Sequence, residues 1–269
     1  MRKATPISDI KKKAKEQLLG NYSLAIGSFV LLFAILYVLL NIVAGGAESL
    51  IFSGITGAQG ANEAQFEAIM TNERNEIMIT ILYFIVMAVV TPVISLLTTG
   101  YVYIIRELTM GRPVRSTGLF YTFKNHPDKV IIISLISYGV RTVLSLPALI
   151  FIHYCGGGID NGPDFLIYTV LQLAGAIISM IFNIAMSQSY LIYLDNRELD
   201  AIACIKNSIR MMKGHKWRYF CMIMSFAGYW LLMLFSLGVA SLWIAPYMEA
   251  ASIGFYRDLR EQQAIDIYA

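Results

Sequence analysis

The chain reads as an all-α integral membrane protein: a bundle of six spans with basic amphipathic helices at the cytoplasmic interface. Three observations carry that reading. Of its 269 residues, 57% are hydrophobic and only 14% charged, where soluble domains carry about 25% charge, and the mean hydropathy is +0.61. A soluble chain this short cannot hide that much apolar surface in one core. The apolar residues fall in runs near the 20 needed to cross hydrocarbon, and lysine and arginine gather in every second connection. Disorder, a nucleic-acid-binding module, a disulfide scaffold and an ordinary soluble enzyme are excluded together.

The spans run about 22–43, 77–105, 130–152, 165–194, 219–237 and 239–255. The last two are nearly continuous, so six spans require a tight reversal near Ser236–Ser241, and five is the alternative. Ala44-Gly-Gly-Ala47 resembles a signal-peptide cleavage site, but the first apolar run exceeds the usual signal length and reads as a retained anchor.

Lys and Arg set orientation because they resist translocation. The N-terminus, 106–129, 195–218 and the segment after the last span together hold nineteen of them. The alternate connections hold one, Arg74, and Arg141 lies inside a span. Both termini are therefore expected in the cytoplasm, which needs an even number of crossings. The expected location is a cell membrane, crossed several times.

A threefold repeat is the clearest organisational signal. With Pro92, Asn183 and Pro246 set level, PVISLLTTGYVYIIREL, NIAMSQSYLIYLDNREL and PYMEAASIGFYRDLREQ align without gaps. Arg106-Glu107, Arg197-Glu198 and Arg260-Glu261 then share one offset. Aromatics precede each pair (Tyr101, Tyr103; Tyr190, Tyr193; Phe255, Tyr256), at the depth of an interfacial aromatic belt. Within a single membrane domain, 1–269, the units are about 1–110, 111–200 and 201–269. Each opens on a short amphipathic helix. In the first, Ile7, Ile10, Ala14 and Leu18 form the apolar stripe, and Gly20-Asn21 ends the helix. In the third the stripe is Ile202, Ile205, Ile209 and Met212, ended by Gly214-His215; the second copy, Leu119, Phe120 and Phe123, is weaker. Basic helices before spans are also ordinary topology signals. The outer connection at about 44–76 is acidic, with a helix expected in part from Asn62, and reads as a solvated extracellular cap or a dock for a basic peptide.

SIRMMKGHKWRYFCMIMSF and GVASLWIAPYMEAASIGFYRDL, with the opening IKKKAKEQLLGNYSLAIG, resemble the bacterial integral-membrane family catalogued as domain of unknown function 975. The resemblance is specific over about the last fifty residues and implies a multispan bacterial protein. It brings no activity, cofactor or catalytic residue with it.

No catalytic constellation assembles. Cys155, Cys204 and Cys221 are scattered. His126, His153 and His215 lack partners at metal spacing, and Gly156-Gly157-Gly158 lacks the Lys-Ser/Thr of a phosphate loop. The expectation is no enzyme, no cofactor and no metal.

Two charges lie inside spans. Arg141 is twelve residues past Lys129 and Glu249 eight before Arg257, about 18 and 12 Å from the cytoplasmic face at 1.5 Å per residue. Charge at mid-bilayer costs about 2.5–3.5 kcal/mol on insertion scales, so the two are expected to face each other or share a polar cavity. A packing clamp and a snorkelling Arg141 are the blander readings. Asn41, Gln172, Asn183 and Gln188 read mostly as packing contacts. Pro92 and Pro246 remove helical hydrogen bonds at matching repeat positions and are candidate helix breaks, or kinks that shape packing.

The functional expectation is a non-enzymatic membrane component binding lipid, or a partner membrane protein or second copy, through its bundle and basic face. Lys11, Lys12, Lys15, Lys206, Arg210, Lys213, Lys216 and Arg218 are its candidate contacts to anionic headgroups. The alternative is a transporter or export/immunity factor for a small amphiphile, working at the mid-membrane polar site.

Overall fold

The computed structural model describes residues 4–56, 73–154 and 162–268. They are helical, with no strand among the described residues. Chain order is α1 (Ile7–Leu18), α2 (Tyr22–Thr56), α3 (Glu73–Thr109), a 3-10 turn (Ser116–Phe120), α4 (Tyr121–Lys124), α5 (Pro127–Tyr154), α6 (Gly162–Met186), α7 (Ser189–Asp195), α8 (Ala201–Met211), α9 (Lys216–Met224), α10 (Ala227–Phe235) and α11 (Ser241–Tyr268).

Among the described residues five stretches are long and apolar enough to cross a membrane: Tyr22–Gly46, Ile77–Thr109, Pro127–Ile152, Asp164–Asp195 and Lys216–Phe235. The expected reversal near Ser236–Ser241 is present. Leu237 (φ 50°) and Gly238 (φ 88°) are both left-handed, and behind them α9 and α10 run back along α11. The rings of Phe226 and Tyr247 are 5.4 Å apart and the Tyr219 hydroxyl lies 3.1 Å from that of Ser252.

Packing is uneven along the helices. In α3, the stretch before Pro92 exposes Ile77, Met78, Ile81, Tyr83, Ile85 and Val89, while Leu96, Leu97, Tyr101, Ile104, Ile105 and Leu108 beyond it are buried. Along α6, Leu166, Val170, Leu173, Ile177 and Ile181 are exposed, while Leu191, Ile192, Tyr193 and Leu194 of α7 are buried. The core therefore sits at the end that carries the Lys and Arg clusters, hereafter the basic end. The exposed stretches are apolar helix walls, the kind of surface that lipid covers.

Short helices close this core. Ile10, Ala14 and Leu18 of α1 are buried against α11 and α3, and Gly20 ends the helix at φ 87°. Ile10 lies so close to Gly254 that a Cβ there would be 3.1 Å from its side chain. The 3-10 turn sits directly on α3 at Gly100, where a Cβ would fall 1.9 Å from the Leu119 carbonyl oxygen. Thr122 anchors the same contact by donating to the Leu96 carbonyl at 2.6 Å.

Three expectations need correction. The aromatics before the Arg-Glu pairs form no surface belt: Tyr101, Tyr193, Phe255 and Tyr256 are core residues, because the short helices cover them. The buried face of α8 is Ala201, Cys204, Ile205, Ser208 and Met211, whereas Ile202 and Ile209 are exposed. Small residues let that face approach closely, which an apolar stripe count misses. Pro92 and Pro246 do not break their helices, which run unbroken over 73–109 and 241–268. Pro147 inside α5 is likewise accommodated, each ring costing one backbone bond that its packed neighbours tolerate. The fourth and fifth apolar runs are instead interrupted at Ser187–Gln188 and at Ser225–Phe226.

The first interruption is filled by a side chain from α8. Ser208 Oγ accepts the Gln188 N–H at 3.2 Å and donates to the Ala185 carbonyl at 2.7 Å. A hydroxyl thus replaces the helical bonds lost at the break. The acidic connection lies largely outside the described residues, but α2 continues to Thr56 and α3 starts at Glu73. Cys155, the Gly156–Gly158 run and the start of the helix expected from Asn62 are also outside them.

Candidate functional site

At the basic end, the ends of α3, α7 and α11 converge on Asp195. Arg106 donates to it through Nε at 3.1 Å and through a terminal nitrogen. Tyr256 donates its hydroxyl at 2.8 Å, and Arg260 pairs with the same carboxylate from solvent. Glu107 takes Arg106 at 2.7 Å and Arg112 at 3.4 Å. Burial and the Asp195 carboxylate keep the Tyr256 phenol protonated. The sequence signal for this cluster lay in the repeat register: Asp195 and Asp258 both fall twelve residues after the aligned Asn183 and Pro246.

Beside the cluster is an open cavity of about 430 Å³ with Arg106, Arg112, Arg257 and Arg260 on its wall against Asp195 and Glu261. Arg257 differs from its neighbours. Its bonds go to neutral oxygens, Thr109 Oγ1 at 2.8 Å and the Arg106 carbonyl at 3.4 Å, and no described carboxylate pairs with it. Burial first, then the neighbouring Arg106, oppose its charge. A part-buried guanidinium with spare N–H groups beside a solvent-open cavity is suited to bidentate binding of phosphate or carboxylate.

Two of the predicted headgroup contacts, Arg218 and Lys11, bond within the protein. Arg218 donates to Asp258 at 2.6 Å and to the Thr5 carbonyl at 2.5 Å, with its guanidinium over the Phe255 ring. Lys11 Nζ donates to the carbonyl and hydroxyl of Ser225 at 3.0 and 3.2 Å and sits 4.2 Å from the Phe226 ring centre. It therefore caps the second helix interruption. Lys12, Lys15, Lys206, Arg210 and Lys213 are exposed and Lys216 is half-buried.

The predicted intramembrane pair does not meet. Among the described residues no ion pair joins Arg141 to Glu249. Half-buried Glu249 lies within electrostatic reach of Tyr101 and Tyr219. Arg141 is exposed and lies beside Gln172 and Asn183. Asn183 donates to the Ser179 carbonyl one turn back at 2.9 Å. Glu249 points into the α3–α9–α11 core while Arg141 belongs to the α5–α6 wall, so the two charges occupy different helix interfaces.

Cys204 is buried and Cys221 half-buried, both as free thiols, and no group of three His, Cys, Asp or Glu side chains converges among the described residues. His126, at φ 51°, turns the chain between α4 and α5. No curated protein and no solved structure matches the chain. A family model does match over residues 1–263, and the chain belongs to that family, described as a protein of unknown function (DUF975).

Proposed function

We propose that this is a non-enzymatic membrane protein that binds anionic lipid headgroups, or an acidic partner membrane protein or second copy, at its basic end. The supporting observation is the arginine-walled cavity, in which Arg257 has no carboxylate partner among the described residues. Lys12, Lys15, Lys206, Arg210 and Lys213 are exposed, each adding about 1 kcal/mol toward an anionic surface when well placed.

The accompanying topology has six passes in a bacterial cell membrane, with both termini and the basic end in the cytoplasm. α9 and α10 form the fifth pass and α11 the sixth, and the three units of short helix and two passes descend from one repeat. The Lys and Arg distribution supports this arrangement, as does the reversal after α10.

Native mass spectrometry of gently extracted protein tests the lipid reading. Added phosphatidylglycerol is expected to remain bound where phosphatidylcholine is lost, and Arg257→Gln to lower phosphatidylglycerol occupancy about tenfold. Equal retention of both lipids, or no effect of Arg257→Gln, overturns it. A second reading, movement of a small amphiphile through the mid-span polar site, draws on the cavity around Arg141 and requires flux across sealed vesicles.

A further inference from the structure

Arg141 makes no hydrogen bond or ion pair with any described residue. It nevertheless stands in polar surroundings. Two adjoining cavities, about 500 and 580 Å³, share Arg141, Ser145, Gln172 and Asn183 on their walls. They are two lobes of one groove around the guanidinium. One lobe lies between α5 and α6, which approach closely at Gly175, where a Cβ would be 2.7 Å from the Leu144 carbonyl oxygen. The other reaches α3 and α7 through Thr91, Ser95 and Tyr190.

The wall polar groups are largely committed. Ser145 donates to the Thr142 carbonyl at 2.8 Å and Tyr138 to the Phe84 carbonyl at 2.9 Å. Gln172 donates to the Tyr168 hydroxyl at 3.0 Å. Among the described residues no carboxylate lines either lobe, so none of them compensates the positive charge that Arg141 brings into a groove inside an apolar helix wall. Its rim is apolar and open: Tyr83 is 54% and Met180 43% exposed. A cation there is stabilised by an anion, and with no described carboxylate lining the groove an anion from outside the chain is the natural partner.

We propose that this groove is a lateral binding site for an anionic amphiphile. Arg141 holds the phosphate or carboxylate headgroup through its forked N–H donors, and the hydrocarbon chain lies against the Tyr83 and Met180 rim. The site is separate from the arginine cavity at the basic end and requires no transport.

Photo-crosslinking in reconstituted vesicles tests it, with labelled peptides mapped by mass spectrometry. The probes are a diazirine-bearing fatty acid, its uncharged alcohol, and diazirine-bearing phosphatidic acid and phosphatidylcholine. The acidic probes are expected to label peptides of α5 and α6 at least fivefold more than their uncharged or zwitterionic counterparts. Labelling by phosphatidic acid alone identifies the headgroup of a bilayer phospholipid, and labelling by the fatty acid a single-chain amphiphile. Arg141→Gln abolishes the excess and Arg141→Lys retains part of it, while labelling of α2 by the alcohol, which reports an intact fold, stays unchanged. Equal labelling by acid and alcohol, or an excess that survives Arg141→Gln, overturns the proposal. Because the labelled peptides are located, loss of this site and loss of the basic-end site are distinguishable.

Discussion

Arg106 and Asp195, 89 residues apart, form a charge-assisted pair at the basic end, and Tyr256 and Arg260 complete the carboxylate's shell. Arginines from two segments far apart in the chain thus end on one aspartate of a third. One side chain ties α3, α7 and α11 together.

The members of this cluster carry unequal weight. Arg106 and Asp195 are 15% and 11% exposed, whereas Arg260 is 63% exposed. Removing one partner of a buried pair strands the other and costs about 3–5 kcal/mol, while an exposed pair is worth about 1 kcal/mol or less. Asp195→Ala is therefore expected to lower the unfolding temperature in detergent by many degrees and Arg260→Ala by few. Equal effects would show that solvent screens the whole cluster.

Asp258 joins the N-terminal segment to α11. Burial raises its carboxyl pKa, but hydrogen bonds from Thr5 and Arg218 and the Arg218 charge outweigh that and hold it below the ordinary value. A depressed carboxylate contributes fully above the unfolded value, about pH 4, and that contribution is lost as pH falls through the folded value. Docking of α1 is expected to loosen below about pH 4, seen as faster amide exchange over residues 7–18. In Asp258→Asn the docking should be weaker at neutral pH and no longer depend on acid in that range.

Gly100 is the tightest backbone contact among the described glycines. Gly100→Ala drives a methyl into the Leu119 carbonyl, and since backbone cannot swing aside, a loss of about 3 kcal/mol is expected. Gly228→Ala, with nothing within 4 Å, is expected to change stability by less than about 1 kcal/mol. Thermal unfolding of the two variants in one detergent checks the contrast.

The turn after α10 decides the number of passes. If α10 and α11 cross fully, Gly238→Cys reacts with a membrane-impermeant maleimide added outside sealed cells. The apolar stretch of α11 over 239–255 has about the minimum length for a pass. A cysteine at 238 reacting from neither side would mean that the hairpin dips into the bilayer and returns.

Helix class, the long apolar segments, the amphipathic α1 and the reversal before Ser241 were all legible in residue order. Apolar period, charge distribution and a glycine turn are local properties, and lipid imposes helical hydrogen bonding wherever they occur. Those same local properties misplaced the aromatics and the buried face of α8, because a short helix docking from elsewhere in the chain decides whether a tyrosine is surface or core.

The site divides along the same line. Arg141 stands out as an isolated charge within an apolar run, whereas Asp195 and Asp258 carry no mark beyond their equal offsets from Asn183 and Pro246. Only the packing of α3, α7 and α11 assigned Arg106 and Arg260 to Asp195, drew Arg218 inward to Asp258 and left Arg257 facing a cavity. Only packing separated Arg141 from Glu249. Depth in a bilayer can be counted along one helix, but which faces meet depends on rotation about each axis, set by close approaches such as Gly100 on Leu119 and Gly175 on Leu144.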